Sequence, residues 1–433
     1  MPDQAGTFYL ITQGCKINQY ESQALAEAWL GRGARWAAGV EQAETVVINS
    51  CAVTAKSLQD LRKTIRRCRQ VNAAAHMVVT GCAAQMCVEE MGDLADRVVP
   101  QEDKPSLADW PPENWPQSNL KSGANQGHVF PPLHISRYAR ARPVLKVQDG
   151  CSHGCTYCIV PLTRGPARSR RPEEVATEAA TLLANGYREL IISGINLAEY
   201  RSQGLDFWDL IRFLDDRLAP HWQGAARLRL SSLDPSQLGA KALDVLGGSG
   251  MLCPHLHLSV QSASPGVLQA MGRLHYHPER VAEFLAQLAG VWPCFALGGD
   301  FLVGFPGETD EDMRQTENWL AVQPFTYAHV FVYSPRPETR AAQAGGQVEA
   351  KVKKERSQRL RQLAAVKNRE FVNGLLGAPR LQVALEGEDR PGTGRCEYYV
   401  PCTLDHQPRA GSRSLVPVVP VRAEGAGLVV RSG

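Results

Sequence analysis

The sequence has little net charge, no long apolar run and no export-like start, and each absence narrows what the chain can be. A formal charge of +3 over 433 residues is too small to bind nucleic acid through bulk charge, so any basic surface must be local. No apolar stretch approaches the roughly 18 residues that suggest a membrane-spanning helix. The segment Met1–Gly14 lacks the basic, apolar and small-residue succession of a signal peptide. The expected address is therefore the cytoplasm, with no membrane partner. Twelve cysteines in a reducing compartment point to metal or redox chemistry rather than disulfides. The remaining composition, 44% hydrophobic and 21% charged, is that of a globular chain long enough for two or three domains.

The pattern along the chain divides it into three. Thr7–Gly14, Glu44–Cys51 and His76–Cys82 read as strands, with helices over Asn18–Gly33 and Thr54–Val71. This alternation predicts a doubly wound parallel α/β sheet. A Pro-, Asn-, Gln- and Gly-rich connector follows, about Pro100–Pro132. Six further strands are expected at Val144–Val147, Glu189–Ser193, Arg227–Ser231, His255–Val260, Phe295–Val303 and Tyr327–Tyr333. Helices such as Pro172–Asn185, Pro235–Leu246, Pro278–Leu288 and Thr309–Val322 lie between them, which fits a partial (β/α)6 barrel. A charged helix, about Glu349–Asn373, leads to Leu381–Glu386, Cys396–Thr403, Ser414–Val419 and Gly427–Arg431, expected as a small antiparallel β-barrel. No short-period repeat is present.

The sharpest motif is Cys151-Ser-His-Gly-Cys155-Thr-Tyr-Cys158, directly after a strand. Three thiolates on one short loop can hold three corners of an iron–sulfur cubane and leave the fourth iron open to a small molecule. A zinc site is the plainer alternative but needs a fourth ligand, and His153 is wedged between two of the cysteines. A second constellation is dispersed. Cys15, Cys51 and Cys82 each follow the last residues of one of the first three strands, and the carboxyl ends of parallel strands share one crevice. Gly14 and Gly81 would allow close backbone approach. Three small buried hydrophobes are the alternative. Cys87 is a second choice of ligand, and Cys68, Cys253, Cys294, Cys396 and Cys402 read as structural.

These motifs resemble the radical S-adenosylmethionine superfamily, and the whole chain resembles its methylthiotransferases. Further matches are Val303-Gly-Phe-Pro-Gly-Glu308, His255-Leu-His257-Leu-Ser-Val-Gln261-Ser262 and a TRAM-like terminus after about Phe371. Gly14-Cys-Lys-Ile-Asn-Gln-Tyr-Glu-Ser22, Arg164-Gly-Pro-Ala-Arg-Ser-Arg170 and the Leu-Ser-Val-Gln-Ser run are similar to the MtaB branch. Asp234 stands where the family has Glu, and Ser262-Ala263-Ser264 replaces Ser-Gly-Ser. The implied domains are 1–125 (auxiliary cluster), 137–365 (radical core) and 371–433 (TRAM-like, RNA-binding).

The resemblance implies two [4Fe-4S] clusters, one on Cys151, Cys155 and Cys158 and one on Cys15, Cys51 and Cys82, together with S-adenosylmethionine. It also implies a radical attack at C2 of N6-threonylcarbamoyladenosine, position 37 in the tRNA anticodon stem-loop, and an electron donor such as flavodoxin or ferredoxin. An aromatic C–H is not acidic, so a base could not activate it, whereas cofactor chemistry can. Tyr157, Gly194, Asn196, Ser231, Ser232, Gln261 and Gly304, at strand ends, are expected around the cofactor. For each, capping the next helix is the competing role. Arg168 and Arg170 are expected to hold the threonyl carboxylate. The runs Arg137–Arg171 and Lys351–Arg369 each carry eight basic residues against one acid and are expected to meet RNA, although a solvated helix face accounts equally for part of the second. Tyr398 and Tyr399 are expected on one strand, one stacking on a base and the other in the core. The alternatives are the isopentenyladenosine enzyme, the enzyme that modifies a ribosomal-protein aspartate, and a non-catalytic zinc and RNA-binding protein.

Overall fold

The computed structural model describes residues 6–52, 54–112, 115, 133–387, 390–406 and 411–433. Most of the second half of the expected connector lies outside them. β1 (Thr7–Thr12), β2 (Arg35–Trp36), β3 (Thr45–Ser50), β4 (His76–Gly81) and β5 (Arg97–Val99) form an all-parallel sheet in the order β2-β1-β3-β4-β5. β3, Thr-Val-Val-Ile-Asn-Ser, is buried along its whole length, as a central parallel strand covered on both faces must be. The helix Ala55–Val71 begins where the Thr54 hydroxyl accepts from Ser57 N, a standard N-cap.

The middle of the chain supplies β6 (Val144–Lys146), the β7 (Gln148–Asp149) and β8 (Arg168–Ser169) ribbon, β9 (Glu189–Ser193), β10 (Arg227–Leu230), β11 (Ser232–Leu233), β12 (His255–Gln261), β13 (Ala296–Val303) and β14 (Tyr327–Val332). Two parallel sheets, β10-β9-β6 and β11-β12-β13-β14, are joined through Ser231, giving an open barrel. The expected helix at Pro235 starts later, because Pro235–Gln237 closes as a 3-10 turn and the α-helix runs Ala240–Gly248. A helix at Phe207–Trp222, closed by an Asp206–Asp209 capping box, adds to those expected.

The last part is a closed barrel, β15 (Leu381–Leu385), β16 (Thr393–Cys396), β17 (Pro401–Leu404), β18 (Leu415–Glu424) and β19 (Gly427–Ser432), ordered β15-β16-β17-β19-β18. Two expectations are corrected. The β17–β19 pair is parallel, so the barrel is not purely antiparallel. The expected continuous strand Cys396–Thr403 is broken at 397–400, which form the turn between β16 and β17, so Tyr398 and Tyr399 lie on that turn, with Tyr399 at φ +63. That left-handed conformation is uncommon for a bulky side chain.

The three parts interlock. Glu21, on the helix Lys16–Gly31, is buried among Lys104, Lys146 and Arg164, with Asp149 completing the group. At the other end of the open barrel, Glu189 holds Arg227 and Arg229. These arginines donate to the carbonyl oxygens of Gln382, Arg395, Cys396 and Glu397, which docks the C-terminal barrel.

Candidate active site

Register sets the strand ends that precede the dispersed cysteines side by side. Ser50 pairs with Gly81, and Gln13 N donates to Asn49 O at 2.9 Å, so the residues that follow β1, β3 and β4 emerge side by side. Gly14 (φ +104) approaches so closely that a Cβ there would stand 2.6 Å from the Cys51 Cβ and 3.1 Å from its Sγ. Gly81 (φ +99) would clash with Ser50 O at 2.4 Å. Only glycine fits either place. Cys15 and Cys82 both lie in the field of the buried Arg164 guanidinium.

Arg164 ends the short helix Val160–Arg164, directly after the Cys151–Cys158 loop. Ile159 packs with Cys82 and Ala83 in one apolar cluster, so the two cysteine-bearing ends abut. The donor set of the loop suits an iron–sulfur cluster, because each sulfur accepts a hydrogen bond. Asn196 Nδ2 is 3.6 Å from Cys151 Sγ, Arg273 Nη1 is 3.8 Å from Cys155 Sγ, and Val160 N is 3.4 Å from Cys158 Sγ. Such donors stabilise ligating thiolates. Burial pushes the free thiols of Cys151 and Cys158 up to about 12 and about 11, so metal ligation is what would hold them deprotonated at neutral pH. His153 belongs instead with Asp234 and His275, whose ligand atoms lie within 4.8 Å of one another.

Of the residues expected around the cofactor, Tyr157 is on this loop and the others sit at strand ends or junctions of the open barrel. Gly194 and Asn196 follow β9, and Gln148 Oε1 accepts from Ile195 N and Asn196 N. Asn196 both caps the next turn, accepting from Ala198 N, and reaches Cys151, so the two roles set against each other coexist. Ser231 is buried and Ser232 exposed at the β10–β11 junction. Gln261 ends β12 at φ +66, after a register shift. Gly304 (φ +73) directly follows β13, and its N donates to the Glu308 carboxylate. Tyr157 stands edge-on to Phe305, with centroids 6.3 Å apart.

Arg273 had no motif to announce it. It reaches Cys155 because Asp234 holds it at 2.8 Å, and His275 sits 3.2 Å from the same carboxylate. Asp234 thus does positioning work with one methylene fewer than the Glu of the resemblance.

Arg170 is turned into the protein interior. It is buried against Glu178 (2.6 Å) and Tyr20, and Arg168 Nη2 donates to Arg164 O. The basic run Arg137–Arg171 is likewise not one RNA surface, since Lys146, Arg164 and Arg170 are buried in ion pairs. In the second run, Lys353 and Arg356 turn inward, while Lys351, Lys354, Arg359, Arg361 and Arg369 are exposed.

Polar side chains of β12, β13 and β14 meet one another. Asp300 Oδ1 lies 2.9 Å from His257 Nε2 and 3.2 Å from His329 Nδ1, and the Tyr327 hydroxyl is 2.8 and 2.9 Å from His255 and His257. Tyr399 enters from the C-terminal barrel, with the Arg395, Arg229 and Arg142 guanidinium carbons 4.3, 5.2 and 5.8 Å from its ring centroid. Burial opposes ionisation of this phenol, but Lys16, Arg395, Arg142 and Arg229 together hold its pKa below the ordinary value.

Fold and cysteine loop together define a radical S-adenosylmethionine enzyme. Residues 145–320 match the Radical SAM superfamily, and residues 7–99 match a family described as Uncharacterized protein family UPF0004. The chain is 35% identical over 370 residues to the Bacillus subtilis threonylcarbamoyladenosine tRNA methylthiotransferase MtaB, covering 84% of this chain and 81% of that one. It is 33% identical to the Zymomonas mobilis tRNA-2-methylthio-N(6)-dimethylallyladenosine synthase, with 86% and 84% covered. Among solved structures, the Kitasatospora setae radical S-adenosylmethionine methyltransferase TsrM, with cobalamin and a [4Fe-4S] cluster bound, superposes with TM-score 0.58 at 14% identity, covering 78% and 77%. That likeness concerns the fold. The chain belongs to the radical S-adenosylmethionine methylthiotransferases. Among the described residues, no helix is long and apolar enough to cross a membrane.

Proposed function

We infer that this enzyme adds a methylthio group to C2 of N6-threonylcarbamoyladenosine beside the tRNA anticodon. The observation that carries the reading is the abutment of two cysteine-bearing segments, the loop 151–158 and the ends of β1, β3 and β4. It is supported by identity over most of the chain to a relative named for that substrate. In this reading Cys151, Cys155 and Cys158 hold a [4Fe-4S] cluster, and Cys15, Cys51 and Cys82 hold a second. When bound, the first cluster with S-adenosylmethionine supplies the radical chemistry that an unactivated aromatic C–H requires.

The protein's own contributions follow from the geometry. Asn196, Arg273 and Val160 N orient and stabilise the thiolates of the loop. Tyr157, Gly194, Ser231, Ser232, Gln261 and Gly304 frame the space above the strand ends, where S-adenosylmethionine would lie. The buried Glu21 group fixes the N-terminal sheet against the open barrel, so the separation of the two sites does not drift. The working parts are taken as 1–125, 137–365 and 371–433, the last gripping the RNA. Reducing power comes from a small electron-transfer protein such as flavodoxin or ferredoxin.

The isopentenyladenosine reading is kept because a relative named for that reaction is 33% identical. Nucleoside mass spectrometry of tRNA from a deletion strain separates the two. Unthiolated threonylcarbamoyladenosine should accumulate. Accumulation of isopentenyladenosine instead would reverse the assignment.

A further inference from the structure

The excess of positive charge between the three parts of the chain is not used by anything described so far. A cavity of about 360 Å³ is lined by Lys16 from the first helix, Arg140 and Arg142 from the segment entering β6, and Arg390, Arg395 and Tyr399 from the C-terminal barrel. The one carboxylate on its wall, Glu386, is already taken by Arg142 at 2.8 Å. Arg229, which also faces Tyr399, is neutralised by Glu189. Lys16 is accessible, yet among the described residues its ammonium makes no hydrogen bond and no ion pair. The Tyr399 hydroxyl likewise has no hydrogen-bond partner there.

A lysine facing other cations in a concave pocket is electrostatically incomplete, and a bound anion completes it. Its place in the chain says which anion. Lys16 directly follows Cys15, so its ammonium stays within one side-chain length of the cysteine crevice. A base brought there for modification at C2 carries its N6 substituent with it. The phosphates of the same nucleotide lie beyond the ribose.

We propose that this cavity receives the carboxylate of the threonylcarbamoyl substituent, with Lys16 as its direct partner and the Tyr399 hydroxyl as a neighbouring donor. The inference rests on the threonylcarbamoyladenosine reading above, and it moves the anion site from Arg168 and Arg170 to Lys16. An isopentenyl group would leave the lysine unpaired, so the same pocket discriminates against it.

The test uses the full-length holoenzyme with anticodon stem-loop RNAs carrying threonylcarbamoyladenosine, its methyl ester, isopentenyladenosine or plain adenosine. Esterification removes one charge and leaves every phosphate in place. With wild-type enzyme the ester should raise KM about ten- to a hundredfold, the range expected for a lost charge-assisted hydrogen bond, with a smaller change in kcat. Lys16→Gln should raise KM for the acid by a similar factor, and the two losses should not add when the variant meets the ester. Lys16→Arg should recover most of the loss. Iron content of Lys16→Gln should match wild type, which separates a substrate contact from damage next to Cys15. Equal KM for acid and ester would overturn the pocket alone, as would an equal loss of affinity for the plain-adenosine RNA, which marks a phosphate contact. An enzyme that modifies only the isopentenyladenosine RNA would overturn the substrate reading and the pocket with it.

Discussion

The guanidinium of Arg164, just beyond the cysteine loop, lies 2.8 Å from the carboxylate of Glu21 on the first helix of the N-terminal sheet. This contact joins the parts that carry the two cysteine trios. Lys104 and Lys146 share the same carboxylate at 2.6 and 2.7 Å, and every member is essentially removed from solvent. Glu21→Gln would remove one of the two carboxylates, Glu21 and Asp149, that these three buried cations are paired with. The expected cost is about 3–5 kcal/mol, the usual penalty for breaking a buried pair from one side, read as a fall in anaerobic thermal stability. A variant as stable as wild type would show that the group is not what fixes the parts together.

The same group gives a pH signature. Burial raises the Glu21 carboxyl, but Arg164, Lys104 and Lys146 more than reverse this and hold it well below its usual 4.5. Against burial, Lys146 and Arg164 also bring Asp149 down to about 2. A depressed folded pKa contributes stability above the unfolded value and loses it as the pH falls through the folded one. Stability should therefore decline below about pH 4.5 in wild type and decline less steeply in Glu21→Gln. Identical acid profiles would contradict this.

How much of this was legible in the sequence depended on whether the signal was local. Cys15, Cys51 and Cys82 are expected together because strand ends in a parallel sheet share a crevice, and the Ser50↔Gly81 register does set the ends of β3 and β4 side by side. Most expected strands and helices fall within a few residues of the observed ones. The turn at Tyr398–Tyr399 escaped because the left-handed residue there is tyrosine rather than glycine, so the segment read as continuous strand. Arg170 looked like a ligand cation because its partner Glu178 lies on the next helix and pairs only after folding. Arg273 stands 118 residues from Cys155, and no spacing rule links them.

The two trios should be separable by mutation. Cys151→Ala, Cys155→Ala or Cys158→Ala should abolish reductive cleavage of S-adenosylmethionine, measured as 5′-deoxyadenosine. Cys15→Ala, Cys51→Ala or Cys82→Ala should leave cleavage largely intact and stop sulfur insertion. A triple variant of the second set that still made methylthio product at the wild-type rate would show that the N-terminal site is not a cluster site for this reaction.

Arg273 should tune the cluster on the loop. A guanidinium 3.8 Å from Cys155 Sγ favours the more negative, reduced state. Arg273→Met should lower the reduction potential by about 60 mV, the one-electron equivalent of a tenfold change. Asp234→Asn, which loosens the arginine, should shift it the same way by less. An unchanged potential in both variants, by titration followed with electron paramagnetic resonance, would leave Arg273 a purely structural role.

The C-terminal barrel and the helix Ala350–Gly374 should grip the tRNA backbone. A second cavity, about 530 Å³, opens between that helix, β14 and the barrel, with Arg361, Asn368, Arg369, Arg395 and Tyr398 on its walls. Arg369 is exposed and free of ion pairs among the described residues. It therefore suits a phosphate, as do Lys351 and Lys354 along the same helix. Binding by the intact enzyme should fall steeply with salt, because phosphate contacts release counterions. Arg369→Glu should weaken binding of all tRNA substrates alike and reduce the salt slope by about one. Removing everything after Phe371 should do more than weaken binding. The barrel also supplies Tyr399 and Arg395 to the wall of the cavity proposed for the threonyl carboxylate, so modification should stop even at RNA concentrations that restore binding. Cleavage of S-adenosylmethionine should persist in the truncated chain, since the loop and the strand ends around it remain. Unchanged affinity and salt slope in both Arg369→Glu and the truncated chain would show that the RNA enters by another face.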